Sequence, residues 1–266
     1  MSWSSGWLKA AAEGFKAHGL NPKETGTSDT TECDLALFWG HRQTKIIERQ
    51  KKNNADYMTL ERGFLGDRFV ETALCFNGLN GHADWSHCER SPADRFESKF
   101  SDLVRGCYLN LDGDFLVIGQ VPGDASLAGL NIDQWYDEII AEIKLNFPEK
   151  RVVFRPHPQA LRNNTVTIPS GADAQSYVGL MRDFTLACCV VTLNSNTAVE
   201  SVLAGVPTVT CNPGSMAYEV SRHEVSSIEQ SPDRKQWTYN LAYKQWTMDE
   251  IKTGVAWDHA KRRYGL

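Results

Sequence analysis

Three short stretches carry side chains suited to holding a phosphorylated ligand. In Arg155-Pro156-His157-Pro158 the prolines fix the backbone and bring an arginine and a histidine together. A guanidinium recognises phosphate through two parallel hydrogen bonds, and an imidazole donates to phosphate or acts near a leaving group. The competing reading is a partly buried arginine paired with a carboxylate. Asn194-Ser195-Asn196-Thr197 is a cluster of helix-capping residues ahead of a run of small side chains. The N–H groups and dipole of such a helix start favour a diphosphate, although plain capping uses the same residues. Glu200 follows one turn on, where its carboxylate suits ribose hydroxyls or a salt bridge. The third stretch is Gly119-Gln120 followed by Pro122-Gly123-Asp124-Ala125-Ser126.

All three stretches follow apolar runs. Residues 115–119, 151–155 and 188–192 read as buried strands, and 207–211 as a further one. Helices are expected at 132–147, 174–183 and 194–204, the last stopped by Gly205. This alternation describes a Rossmann-like domain, and ligands of open parallel sheets lie outside the carboxyl ends of the strands. Three polar strand tips therefore meet at one edge. Upstream, 34–39 reads as a strand ending at Gly40, 44–53 as a helix and 57–61 as a second strand. Strand, helix and strand within about thirty residues form a βαβ unit and imply a parallel sheet. Residues 76–92 are turn-rich and long for a connector, which favours a functional loop. Helices are expected at 91–105 and, closing the chain, at 248–263. Trp3, Trp7, Leu8, Ala11 and Phe15 lie at helical spacing, which fits a core-packed first helix better than a membrane-surface one.

The 266 residues carry a net charge of −5, which argues against coating nucleic acid by bulk electrostatics and leaves room for a local basic groove. His41, Arg42, Lys45, Arg49, Lys51 and Lys52, with Arg62 and Arg68 nearby, form a cationic patch. It suits DNA phosphates, or is a solvated helix face. The seven cysteines lack metal-ligand spacing, and Cys188 and Cys189, inside an apolar run, read as small buried side chains in a reducing compartment. Neither a leader pattern nor a membrane-spanning run is present in the sequence, so a cytoplasmic location is expected. Trp237, Trp246 and Trp257 read as packing residues, one of which could stack on a base.

Residues 119–127, 154–158 and 194–207 resemble, in order and spacing, the motif series of capsule-polysaccharide glycosyltransferases, including those that transfer Kdo from its CMP-activated form. The resemblance covers roughly residues 110–215. It implies a nucleotide-sugar site, UDP- or CMP-linked, made by Gln120, Asp124, Ser126, Arg155, His157, Ser195, Asn196 and Glu200, to which the reading of the helix start adds Asn194 and Thr197. The segment Asn212-Pro213-Gly214-Ser215-Met216 departs from the aromatic-rich one usual in that family, and the chain is shorter. Residues 61–68 and 77–81 are more similar to compact glycosyltransferases encoded by bacteriophages, some of which decorate hydroxymethylated pyrimidines in DNA. In that case the location would be the host cytoplasm.

The expected fold is α/β, a compact GT-B-like pair of Rossmann-like domains facing a cleft. The expected division is an acceptor-side domain at 1–108, a donor domain at 109–246 and a closing helix at 247–266. A hydroxyl acceptor attacking the anomeric carbon needs a base, for which Glu61, Asp67, His82 and Asp84 are the candidates. Asp112-Gly113-Asp114 matches the D-x-D metal signature of other glycosyltransferases, but it precedes a strand and reads as a turn, so no essential metal is expected. The acceptor is expected to be a hydroxymethylated base in phage DNA, with a surface polysaccharide as the alternative. A nucleotide-sugar epimerase and a non-catalytic nucleotide-binding module fit the same fold.

Overall fold

The computed structural model describes residues 3–26, 31–229 and 232–265. In chain order the elements are α1 (Trp3–Ala17), β1 (Leu35–Trp39), α2 (Thr44–Lys52), β2 (Asp56–Arg62), β3 (Glu71–Phe76) and α3 (Asp94–Lys99). Next come β4 (Asp114–Ile118), α4 (Ile132–Asn146), β5 (Val152–Arg155), α5 (Pro158–Arg162), β6 (Ala174–Gln175) and α6 (Leu180–Leu186). The rest are β7 (Ala187–Thr192), α7 (Thr197–Leu203), β8 (Thr208–Thr210), α8 (Lys235–Ala242), β9 (Gln245–Thr247), α9 (Met248–Lys252) and α10 (Val255–Ala260).

Two compact units result: Met1–Phe100 with Thr238–Leu266, and Ser101–Trp237. The chain thus returns to the first unit at Thr238, and residues 238–246, expected with the donor half, pack there instead. The reason is β9, which adds to the first unit's sheet beside β3.

The first unit holds a four-stranded sheet in the order β1-β2-β3-β9. β1 and β2 are parallel and joined through α2, the expected βαβ unit. β3 and β9 are antiparallel to their neighbours, so the sheet is mixed rather than purely parallel. One face packs Met58, Leu60, Leu74 and Phe76 against Trp7, Ala10 and Ala11 of α1 and Ile251 of α9. Helical spacing of Trp7, Ala10 and Ala11 produces that stripe, and α1 is core-packed. The side chain of Trp3 lies outside the described residues. The single closing helix expected at 248–263 is broken at Gly254, whose φ of +87° a longer side chain would not adopt readily.

The second unit is a five-stranded, all-parallel sheet in the order β6-β5-β4-β7-β8. Phe115 and Val117 face α4, where Ile139, Ile140 and Ile143 cover them, while Leu116 and Ile118 join Phe184 and Val206 on the other face. Burial on both faces explains why these strands read as continuous apolar runs. Residues 174–183, expected as one helix, instead begin with β6, because Ala174 pairs with Val153, and α6 starts only after Gly179. All seven cysteines are free, and burial pushes the Cys75 thiol up to about 12 and Cys188 to about 11.

Candidate functional site

The carboxyl edge of the second unit's sheet collects four polar exits: Gly119-Gln120 after β4, Pro156-His157 after β5, Ser176-Tyr177-Val178 after β6 and Leu193-Asn194 after β7. Gly119 sits where β4 and β5 exit side by side. Its N–H donates to the Arg155 carbonyl at 2.8 Å, and a Cβ there would stand 2.9 Å from that oxygen and 3.0 Å from the His157 nitrogen. Only glycine permits this approach.

Gln120 and Asn194 tie the β4 and β7 tips together. Gln120 Nε2 donates to Asn194 Oδ1 at 2.7 Å, and Gln120 Oε1 accepts from the Asn194 N–H at 3.2 Å and Thr192 Oγ1 at 3.4 Å. Asn194 Nδ2 then donates to the Ser126 carbonyl at 2.8 Å, fixing the loop after β4. Gln120 is 8 % exposed and Asn194 6 %, so both side chains work within the scaffold. Asp124 and Ser126 form a turn: Asp124 Oδ1 accepts from the Ser126 N–H at 2.9 Å and hydroxyl at 2.7 Å.

Arg155 takes the arrangement weighed against phosphate binding. Its Nη1 pairs with Asp183 at 2.5 Å and donates to the Val178 carbonyl at 2.6 Å. Asp183 is buried and also accepts from Ser176 Oγ at 2.6 Å, so β5, the loop after β6 and α6 are joined through one carboxylate. His157 caps α5: its Nδ1 accepts the Gln159 N–H at 3.1 Å, which places the ring proton of the neutral form on Nε2. The ring lines a small crevice, open to solvent, shared with Gly119, Asp133, Tyr136 and Thr167.

The helix expected to open at Asn194 starts at Thr197. Ser195 Oγ accepts the Thr197 N–H at 3.2 Å and Asn196 holds the cap position with helical backbone angles. Glu200 is exposed on the first turn. Gly205 ends the segment with φ +81°, its α-carbon so close to Gly106 that an added Cβ would stand 2.2 Å from the Gly106 oxygen. Tyr177 was not singled out from the sequence; it is 63 % exposed at this edge, an aromatic surface beside the Arg155–Asp183 pair.

Asp112-Gly113-Asp114 lies at the opposite, amino edge, where the Gly113 N–H closes a turn on Asn110 and Asp114 faces Arg151 at 3.5 Å. Among the described residues no three His, Cys, Asp or Glu side chains converge as metal ligands.

The four base candidates divide between two edges of the first unit's sheet. Glu61 lies at the carboxyl end of β2, with Oε1 accepting the Arg62 N–H at 2.9 Å, and Asp67 follows in a turn closed by its bond from the Phe69 N–H. Because β3 runs back antiparallel, His82 and Asp84 come out at the other edge. Asp84 there is ion-paired with Arg263, which also faces Asp56 at 3.3 Å. His41, taken as part of a cationic patch, follows β1 at the same edge as Glu61. Burial, then Lys51, holds its pKa below the usual histidine range, so it adds no charge to the patch at neutral pH.

No family model and no curated protein matches the chain. Among solved structures it is similar to the beta Kdo 2,7 transferase of Thermosulfurimonas dismutans KpsC, at 14 % identity and a TM-score of 0.59, over 94 % of this chain and 95 % of that one. It is also similar to the beta Kdo 2,4 transferase of the same protein, at 13 % identity and a TM-score of 0.57, over 79 % of this chain and 80 % of that one. The first likeness runs through both units, so the separate phage-type likeness expected for the first half is not what the comparison found. The chain has the fold of these transferases: α/β, Rossmann-like and GT-B-like.

Proposed function

We propose that this chain is a glycosyltransferase that takes a sugar from a nucleotide-sugar and passes it to a glycan hydroxyl, with the donor held at the carboxyl edge of the five-stranded sheet. The observation that carries this is the built edge itself, where Gln120 and Asn194 lock two strand tips beside His157 in a fold shared with Kdo transferases. His157 offers an Nε2–H donor to the leaving phosphate, and Ser195, Asn196 and Thr197 line the start of α7 after β7, with β4 between the two tips. Arg155, its charge paired with Asp183, holds the Tyr177 loop at the same edge through Val178. Glu200, exposed on the first turn of α7, is our candidate for the ribose hydroxyls. A base for the acceptor is sought first at Glu61, which stands where the parallel strands of its sheet end.

The glycan acceptor is preferred to a DNA base because the similar folds, over 94 % and 79 % of this chain, are Kdo transferases by name. The test is incubation with CMP-Kdo, UDP-glucose and UDP-N-acetylglucosamine, each with a Kdo-terminated oligosaccharide, with hydroxymethylated DNA, or with neither. Nucleotide release with a mass-shifted oligosaccharide supports the reading. Sugar-bearing nucleosides would move the acceptor to DNA, an altered sugar without acceptor would indicate an epimerase, and intact donors throughout would overturn transfer.

A further inference from the structure

The crevice beside His157 contains a carboxylate, Asp133, one of whose oxygens no neighbour among the described residues satisfies. Asp133 is the second residue of α4, a position where acids often serve the helix start. Here that duty belongs to Asn131, whose Oδ1 accepts the N–H groups of Asp133 at 3.2 Å and Gln134 at 3.4 Å. Asp133 Oδ2 instead accepts from Thr167 Oγ1 at 3.2 Å, across the crevice mouth. Its Oδ1 is shielded from solvent and has no hydrogen-bond partner among the described residues. A buried charged oxygen left unsatisfied is costly, and such a group in a folded protein calls for a missing partner.

The chemistry of that partner is restricted. A carboxylate is acceptor-only at neutral pH, so it repels phosphate and other anions and requires an O–H or N–H. The neighbouring polar groups are a phenol, Tyr136, whose oxygen already accepts the Gln120 N–H at 2.6 Å, and Thr167. Acceptor carboxylate, threonine hydroxyl and tyrosine hydroxyl together suit a neutral, hydroxyl-bearing group standing next to the phosphate that His157 would receive. We infer that Asp133 receives a hydroxyl of the transferred sugar, making it a specificity-determining residue for the donor. This rests on the nucleotide-sugar reading above, and it separates the roles of the two walls: His157 for the phosphate, Asp133 for the sugar.

Calorimetric titration of CMP, CMP-Kdo, UDP and UDP-glucose into the wild type, Asp133→Asn and Asp133→Ala tests it. Free-nucleotide affinity is expected to stay within about twofold, and affinity for the nucleotide-sugar that binds to fall roughly ten- to hundredfold, the range for one hydrogen bond to a charged group. Equal losses for nucleotide and nucleotide-sugar would assign Asp133 to the base or ribose and overturn the inference. Unchanged affinity for both would overturn it as well. A wild type that binds no nucleotide would sink the donor reading itself, and this inference with it. Monodeoxy analogues of the donor that binds, titrated into the wild type, do not depend on how the variants fold. One analogue should bind roughly tenfold or more weakly, and uniform affinity across the series would refute the assignment.

Discussion

Replacing Gln120 by leucine tests whether this residue is scaffold or ligand contact. Leucine is close in volume and removes every side-chain hydrogen bond of Gln120. Asn194 Oδ1 then loses the donor at 2.7 Å and the Asn194 N–H loses the acceptor at 3.2 Å. The third bond, from Thr192 Oγ1 at 3.4 Å, is long enough to count for little. Two polar groups left unpaired in a buried site cost about 1–3 kcal/mol each, and the added apolar burial of leucine offsets about 1 kcal/mol. The net expectation is about 3 kcal/mol, a lowering of the melting temperature by roughly 10 °C for a unit of this size.

Thermal and urea denaturation, followed by circular dichroism, measure that loss. The double variant Gln120→Leu, Asn194→Ala should lose clearly less than the sum of the two singles, since both remove the Gln120 Nε2–Asn194 Oδ1 bond and the double leaves no unpaired Oδ1 behind. A melting shift under about 2 °C accompanied by a large loss of nucleotide affinity would refute the argument and return Gln120 to the ligand. Additive losses would refute it differently, by showing that Gln120 and Asn194 are not energetically one unit.

Three further outcomes are expected. Arg155→Ala leaves the buried Asp183 carboxylate with only the Ser176 hydroxyl, so stability should fall by roughly 2–3 kcal/mol in denaturant titration, and adding Asp183→Asn should recover part of it. Burial and then Lys244 depress the His87 pKa from 6.5 to about 4 in the folded protein. The unfolded chain therefore binds the proton first as pH falls, and roughly 3 kcal/mol of stability present above pH 6.5 is lost progressively towards pH 4. His87→Phe should reduce that dependence in melts recorded across the window, leaving the share of the neighbouring His259, which is also depressed to about 4, and an unchanged slope would count against the assignment. Gly205→Ala puts a Cβ 2.2 Å from the Gly106 oxygen at φ +81°, so a loss of roughly 3 kcal/mol or more is expected, with wild-type stability ruling the geometry out.

Elements formed by local periodicity were legible in the sequence. β1, α2 and β2 follow from short apolar runs and an amphipathic stretch between them, and β4, α4, β5, β7 and α7 likewise. What escaped was set by distant partners. β9 is three residues long and exists because Gln245–Thr247 pairs with Glu71–Ala73, which no local pattern announces. β6 is two residues on the edge of a sheet, and the helical pattern around it was read instead. The same limit applied to the site. Residue types at the strand tips marked the edge correctly as polar, but Gln120 and Asn194 are 74 positions apart, and only the fold shows that they satisfy one another.

Strand direction also decides more about the first unit than residue identity does. Glu61, Asp67, His82 and Asp84 are the base candidates that a GT-B layout places in the first half of the chain. The antiparallel return of β3 sends the latter two to the edge opposite Glu61, where Arg263 holds Asp84 and the C-terminal segment packs. A carboxylate tied into an ion pair is a poor proton acceptor, because its partner stabilises the charged form. Glu61 stands where β1 and β2 both end, and His41 stands there too, kept neutral by burial. A neutral imidazole can take a proton that an imidazolium in a cationic patch cannot, and the burial that keeps it neutral also makes it a weaker base than a solvated histidine. If the acceptor hydroxyl is activated from this unit, the loss of transfer should follow Glu61→Gln or His41→Asn, and His82→Asn should be silent. Transfer lost in His82→Asn alone, with normal folding, would place the chemistry at the other edge and undo the directional argument.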